Sequence, residues 1–426
     1  MYKKIFILFT IIKLIITIDE SNIYNSTLKK SDLFGEYYDK AREIFKNMTI
    51  EEKVGQVFNV RFNDNISEEI KTNHYGGLTL FAVDFQKRNK TTIKGDLIKV
   101  NNVSKINLSY AVDEEGGTVV RISNYTQYRK EKFKSPQEYY KDGGIKKILE
   151  IEKEKRNLIK ELNLNINLAP VADYTENSSS YIFERTLGQS ITETEKYINE
   201  VVKEANKDNF TTCLKHFPGY GGNSDTHKGI AIDKRELEEF REKDFKPFIA
   251  GINQNVPMIM VSHNIIEKVD SKYPSSISAK IHKILREDLN YTGLIITDDI
   301  SMGAITQFVK NESVAITALL SGVDIILTSN NTQNYKELLE FYKNNEKEKE
   351  KLENAVTRIL AYKLKYGIIP YKKDTDNGNK DGKIWKIIII ILAVVLVGGA
   401  LVYFFVFKKK DTSQNYTQKL TDGNDC

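Results

Sequence analysis

The sequence predicts an α/β fold, a (β/α)8 TIM barrel forming one catalytic domain, followed by one C-terminal transmembrane helix. Three observations predict the barrel. Eight short runs rich in aliphatic and β-branched residues alternate with longer stretches of helical period between about residues 35 and 368. Most of these runs are apolar almost throughout, as strands covered by helices on both faces should be. Charged or titratable residues follow five of the eight, at the strand exits where a barrel gathers its chemistry. An open doubly wound sheet is the runner-up. It would more often carry a Gly-rich phosphate loop after its first strand, and the sequence has none.

The elements follow in order. Met1-Tyr-Lys-Lys4, an apolar run from Ile5 to Ile18 and the polar Asp19-Glu20-Ser21 have the order of a secretory signal peptide, assigned to 1–20. Lys13 interrupts the run, and a retained anchor is the alternative reading. The barrel ectodomain is assigned to 21–370. Its strands are expected at Val54–Val60, Gly77–Phe81, Leu108–Val112, Ile166–Ala169, Thr212–His216, Met258–Ser262, Leu294–Thr297 and Val323–Leu327. Amphipathic helices are expected at Ile145–Leu162, Thr192–Lys207, Lys234–Gln254, Ser278–Leu289, Asn334–Lys343 and about Leu352–Tyr366. A polar stalk, 371–386, comes next. Ile387 to Phe407 is an unbroken run of 21 apolar residues. At 1.5 Å per residue that spans about 30 Å, the thickness of a hydrocarbon core. Trp385 and Tyr403 lie near its ends, and Lys408, Lys409 and Lys410 place the tail, 408–426, in the cytoplasm. The expected address is therefore a single-pass type I membrane protein with its catalytic domain extracellular or lumenal, at the cell surface or in an endo-lysosomal compartment. About a dozen Asn-x-Ser/Thr sequons between the two apolar segments agree with this, among them Asn25, Asn47, Asn65, Asn124, Asn209, Asn290 and Asn311.

Composition narrows the function. The chain has 426 residues, 40% of them hydrophobic, enough for one large core. Its 63 Lys+Arg nearly cancel 58 Asp+Glu, leaving +5, so there is no basic field for nucleic acid. Two cysteines, Cys213 and Cys426, make no disulfide framework, and five histidines add no convincing metal cluster. No cofactor is expected. Cys213, inside an apolar run, reads as a buried free thiol.

The strand exits carry the chemistry. The third run leads into Asp113-Glu114-Glu115-Gly116-Gly117, the fourth into Pro170-Val171-Ala172-Asp173 and the fifth into Lys215-His216-Phe217-Pro218-Gly219. The sixth leads into His263-Asn264 and the seventh into Asp298-Asp299. Any one of these could be a helix cap. Five convergent exits argue instead for one charged pocket. The sequence has no Gly-x-Ser-x-Gly elbow, Walker loop or His-Glu-x-x-His. A carboxylate on a rigid strand end with a second titratable group on a loop suits glycoside hydrolysis. Asp225 and His227 offer that second group: a carboxylate two residues away can orient the imidazole and raise its affinity for a proton.

Lys215-His-Phe-Pro-Gly-Tyr-Gly221 with Asp225-Thr-His227 resembles the signature of glycoside hydrolase family 3, specifically its single-domain β-N-acetylglucosaminidases, which include bacterial enzymes of peptidoglycan recycling. The likeness runs from Thr49-Ile-Glu-Glu-Lys-Val-Gly-Gln56 to Leu352-Glu-Asn-Ala-Val-Thr-Arg-Ile359. It includes Ala111-Val-Asp-Glu-Glu-Gly-Gly117 with Arg121, Leu168-Ala-Pro-Val-Ala-Asp173 and Glu184-Arg-Thr-Leu-Gly188. Met258-Ile-Met-Val-Ser-His263 and Ile296-Thr-Asp-Asp-Ile-Ser-Met-Gly-Ala304 complete it. The resemblance implies that Asp298 is the nucleophile of a retaining reaction, that His227 is the acid/base and that Asp225 is its partner. It implies that Asp113, Arg121, Arg185, Lys215 and His216 hold the N-acetylglucosamine unit, with His263 at a further pocket position. Asp299 reads as a brace for the next helix. Three departures stand out: Tyr220 replaces the usual His, Lys215–Asp225 is one residue short, and Glu176–Phe183 lacks the usual Pro/Gly pattern. They bear on rate and leaving-group preference more than on reaction class.

The expected function is a membrane-anchored exo-β-N-acetylglucosaminidase acting on terminal β-linked GlcNAc, with a carbohydrate substrate and the lipid bilayer as partners. A phosphorylase using the same pocket and a non-catalytic surface glycan-binding protein are the alternatives.

Overall fold

The structure, a computed structural model, describes residues 27–222, 229, 231–302, 305 and 313–371. The chain divides into a unit of Met1–Pro370 and a second of Tyr371–Cys426. The expected signal peptide, the expected transmembrane run 387–407 and the expected tail lie outside the described residues, as does the expected stalk beyond Tyr371. Among the described residues no helix is long and apolar enough to cross a membrane.

Eight strands form the barrel: β1 (Phe58–Arg61), β2 (Gly77–Leu80), β3 (Ser109–Val112), β4 (Ile166–Asn167), β5 (Thr211–Phe217), β6 (Met258–Val261), β7 (Leu294–Thr297) and β8 (Ile326–Thr328). They pair in parallel in the order β8-β1-β2-β3-β4-β5-β6-β7. A parallel bridge between Ile296 and Ile325 joins β7 to the residue before β8 and closes the ring. Closure rules out the open-sheet alternative. β2, β3, β5, β6 and β7 are buried along their whole length, which is why their sequences lack a polar alternation.

Local chemistry moved some boundaries. The first expected strand, Val54–Val60, is half helix: Ile50–Gln56 is helical, and β1 starts only at Phe58. The Thr49 side chain accepts from the Glu52 N–H while the Glu52 carboxylate takes the Thr49 N–H, a capping box that nucleates the helix across the apolar residues. A second box at Ser135 starts the helix Pro136–Glu161 nine residues before its expected beginning, and Gly143 and Gly144 kink it. The expected helix 234–254 is two, Leu237–Glu242 and Phe245–Asn253. The expected helix 278–289 is Ala279–Lys283 followed by a π turn, Ile284–Asp288. Helices Ile191–Lys207, Asn331–Asn344 and Lys349–Lys365 stand close to where periodicity put them.

One irregularity positions the site. The β5–β6 register shifts between Leu214 and Phe217. In this irregular stretch two consecutive side chains, Lys215 and His216, both reach partners at the β3 and β4 exits, where a regular strand would alternate them between faces. The segment after β4 follows this bend, with Val171 bridging Lys215 and the Ala172 N–H donating to the Lys215 carbonyl at 2.7 Å.

Candidate active site

The exit of β3 supplies three acidic residues with three different tasks. Glu114 is fully buried and its carboxylate accepts from the backbone N–H groups of Arg121 (2.9 Å), Ile122 (2.7 Å) and Ser123 (3.2 Å). It folds the following loop back over the strand end and carries Arg121 to the site. Asp113 Oδ1 accepts from Lys215 Nζ at 2.7 Å, and Arg121 approaches Asp113 Oδ2 at 3.6 Å. Glu115 is buried and binds two cations at once. Lys215 Nζ lies 2.6 Å from its Oε1, and Arg185 grips both oxygens, Nε at 2.9 Å and NH2 at 2.8 Å.

Burial by itself pushes the Glu115 carboxyl toward a higher pKa. The charges and hydrogen bonds of Arg185 and Lys215 outweigh that and hold it well below the usual carboxylate range. Burial likewise disfavours charge on Lys215, yet Asp113 and Glu115 raise its proton affinity above that of an ordinary lysine. Glu115, Lys215 and Arg185 therefore stay ionised together, in a water-poor setting where their hydrogen bonds are strong.

His216 joins this cluster to β4. Its Nδ1 lies 2.7 Å from Asp173 Oδ2 and its Nε2 lies 3.2 Å from Arg185 NH2. A guanidinium can only donate, so Nε2 accepts, and Nδ1 carries the proton toward Asp173. Asp173 also takes the backbone N–H of His216 (2.9 Å) and of Tyr220 (2.8 Å), which ties the start of the following loop to the same carboxylate. Tyr220 is buried and meets the His216 ring edge-on at 5.1 Å.

Asp298 follows β7 directly. Its N–H donates to the Val261 carbonyl at 3.0 Å and its Oδ1 accepts from the Asp299 N–H at 2.8 Å, so a rigid strand and a tight turn fix the carboxylate. Asp299 turns away and accepts from the N–H groups of Ser301 (2.9 Å) and Ser329 (3.1 Å), bracing the exits of β7 and β8. His263 is wholly buried. Its Nε2 faces the Asp299 carbonyl at 2.9 Å and its Nδ1 the Ser276 hydroxyl at 2.7 Å. The ring thus braces the turn behind Asp298 from inside the wall and does not stand open to a ligand.

The structure thus brings Asp113, Arg121, Arg185, Lys215 and His216 into one connected network. Asp225 and His227 lie outside the described residues. The sequence reading missed Glu115 and Asp173 as site residues, although both stood in strand exits it had singled out. For Glu115 the signal was the acidic run Asp113-Glu114-Glu115, since two cations converging on one site require more than one anion; for Asp173 it was the lone carboxylate after an apolar strand exit. Cys213, beside Lys215 in sequence, is buried, and burial pushes its thiol far above the usual range. Among the described residues no cluster of three or more His, Cys, Asp or Glu is arranged to hold a metal.

Residues 49–362 match the family described as the glycosyl hydrolase family 3 N-terminal domain. The chain belongs to glycosyl hydrolase family 3. This family 3 chain is 28% identical over 276 residues to a β-hexosaminidase of Methylococcus capsulatus, covering 63% of this chain and 80% of that one. It is 31% identical over 235 residues to a β-hexosaminidase of Idiomarina loihiensis, covering 52% and 67%. Among solved structures it resembles a family 3 β-N-acetylglucosaminidase from a Paenibacillus species, with TM-score 0.69, 22% identity and 77% and 64% of the two chains covered. A β-glucoside phosphorylase shares the fold at TM-score 0.71 and 19% identity, covering 81% and 64%. The family match makes the chain a glycosidase, and the relatives it resembles include β-hexosaminidases.

Proposed function

We propose that the protein is a retaining exo-β-N-acetylglucosaminidase that removes terminal β-linked GlcNAc from glycans or from peptidoglycan- or chitin-type fragments. The observation that supports this most is the buried Asp113–Lys215–Glu115–Arg185–His216 network at the strand exits that also carry Asp298. Its internal charges balance, so it suits a neutral ligand dense in hydroxyl and amide groups. Its depth suits one terminal sugar.

In this reading Asp298 attacks the anomeric carbon and forms the covalent glycosyl-enzyme. His227, oriented by Asp225, gives a proton to the departing oxygen and then takes one from the water that releases the sugar. Asp298 needs no large movement, because β7 and the Asp299 turn hold it. Asp113, Lys215 and Arg185 bind ring hydroxyls, Arg121 approaches the same sugar through Asp113, and His263 supports Asp298 from behind.

The test compares release of chromophore from aryl β-GlcNAc and aryl β-glucose, with and without phosphate, by wild type and Asp298→Asn. GlcNAc-selective, phosphate-independent release that falls by at least about 10³-fold in the variant is expected. Phosphate-dependent turnover would replace hydrolysis with phosphorolysis, and binding without turnover would favour a glycan-binding protein.

We also propose that 387–407 anchors the chain in a membrane, with the barrel on the extracellular or lumenal side. The apolar length of that segment supports this. So does the exposure of the sequon asparagines Asn47, Asn65, Asn124, Asn209 and Asn290 on the folded surface. Removing 387–407 should move the protein from the carbonate-resistant membrane fraction to the supernatant. Equal solubility with and without it would sink the anchor.

A further inference from the structure

We infer that Tyr181 is a specificity residue: its ring forms a platform for the sugar next to the terminal GlcNAc, so the preferred leaving group is itself a saccharide. This rests on the exo-glycosidase reading and extends it to the aglycone. Tyr181 is one of few large hydrophobic side chains left exposed on the described surface, at 37%. It lies in the segment Glu176–Phe183, which departs from the family pattern, so the resemblance does not supply it.

Three contacts put Tyr181 at the edge of the sugar network. Arg185 NH1 donates to its hydroxyl at 3.1 Å while the same guanidinium holds Glu115 and approaches His216. The Arg185 guanidinium lies 5.8 Å from the ring centroid. The buried Tyr220 meets the Tyr181 ring at 6.2 Å and 60°, and in turn packs on His216. The backbone on either side is held as well. Ser180 Oγ donates to the Gly221 carbonyl at 3.1 Å, and Ile182 is fully buried in a small cluster with Val171 and Tyr220.

These contacts order Tyr181 before any ligand arrives. An exposed tyrosine ordinarily retains rotamer freedom that binding must remove; a ring already fixed between an arginine and a second tyrosine offers contact area at little entropic cost. The charged network deeper in is mostly buried: the side chains of Lys215, Glu115 and Arg185 are 3%, 2% and 9% exposed. That depth takes the terminal sugar. The next ring of a chain must then lie farther out, level with the exposed tyrosine. The C–H face of a pyranose is apolar and matches an aromatic surface, while its hydroxyls remain in water.

The test measures kcat/KM on methyl β-GlcNAc, whose aglycone cannot reach Tyr181, and on chitotriose, for wild type, Tyr181→Ala and Tyr181→Phe. Tyr181→Ala should lose about tenfold on chitotriose and less than about twofold on the methyl glycoside. Tyr181→Phe, which keeps the ring and drops the Arg185 contact, should retain the chitotriose preference. Equal losses of Tyr181→Ala on both substrates would overturn the inference and leave Tyr181 as a support for Arg185; so would no loss on either. Calorimetric binding of GlcNAc and chitotriose to the same proteins separates the two levels. If the wild type hydrolyses nothing, the glycosidase reading fails, and the Tyr181 platform is then decided by binding alone. It stands if Tyr181→Ala weakens chitotriose about tenfold relative to GlcNAc, and falls if both ligands change alike.

Discussion

Arg185 and Glu115 face each other side-on, with Nε and NH2 of the guanidinium 2.9 and 2.8 Å from the two carboxylate oxygens. The two residues are 70 positions apart in sequence and almost wholly buried. A planar fork on a planar carboxylate fixes both in position and angle, so this pair sets where the other Arg185 nitrogen can reach.

Replacing Glu115 by Gln tests that role. The change keeps the shape and removes the charge that two buried cations share. Breaking such a pair should cost about 3–5 kcal/mol of stability, read as a fall in the urea midpoint. Activity on aryl β-GlcNAc should fall at least about 100-fold at temperatures where the variant is still folded. A variant of unchanged stability and activity would show that Lys215 and Arg185 are held by other groups.

Asp173 makes a separate prediction about His216. With Asp173 present, neutral His216 carries its proton on Nδ1, a state that a long-range ¹H–¹⁵N spectrum identifies directly. In Asp173→Asn the amide can present an N–H to Nδ1, the proton moves to Nε2, and that N–H confronts the Arg185 guanidinium. The expected result is a changed tautomer signature and a loss of about 10–100-fold in kcat/KM. An unaltered Nδ1–H signal would refute the assignment.

Lys363 gives a pH signature of stability. Its ammonium is buried, donating to Gln56 Oε1 at 2.9 Å and the Gly76 carbonyl at 2.7 Å, without a carboxylate among those partners. Burial lowers its pKa to about 7. Between about pH 7 and 10 the unfolded chain therefore binds a proton that the folded one has released, and stability from this group rises with pH. Relative to Lys363→Met, wild type should gain stability across that range with a limiting slope of about 1.4 kcal/mol per pH unit. Parallel stability curves for the two proteins would rule this out.

Asp324 closes the barrel at its other end. Its Oδ2 accepts from Arg286 NH2 at 2.6 Å and from the Ile295 N–H at 2.8 Å, and its Oδ1 pairs with Arg358. Asp324→Ala leaves two buried guanidinium groups without their shared anion. A loss of at least about 3–5 kcal/mol is expected, seen as a lower Tm or failure to accumulate folded protein. Asp324→Asn should lose less, because its amide oxygen still accepts.

The sequence by itself determined the count of eight strands, the order of strand and helix, and which strand exits carry charge. Those features are local: an apolar run too short for a helix and a polar residue at its end are visible without knowing their neighbours. It also contained the capping boxes that moved β1 and lengthened the helix after β3, but periodicity alone could not weigh a side-chain hydrogen bond against an apolar run. The tertiary structure decided what residues far apart do together. Glu114, Glu115 and Asp113 are adjacent acids in the sequence, yet one folds a loop, one holds two cations and one meets Lys215. Asp299 braces the strand exits much as the sequence suggested, whereas the contacts of His263 with Ser276 and the Asp299 carbonyl exist only once the neighbouring strand exits are side by side. The sequence marked the segment around Tyr181 only as a departure from the family pattern, since exposure beside a buried network exists only once β4 and β5 lie side by side. Ionic pairing and burial depend on distances across the barrel, and those distances are set by its closure.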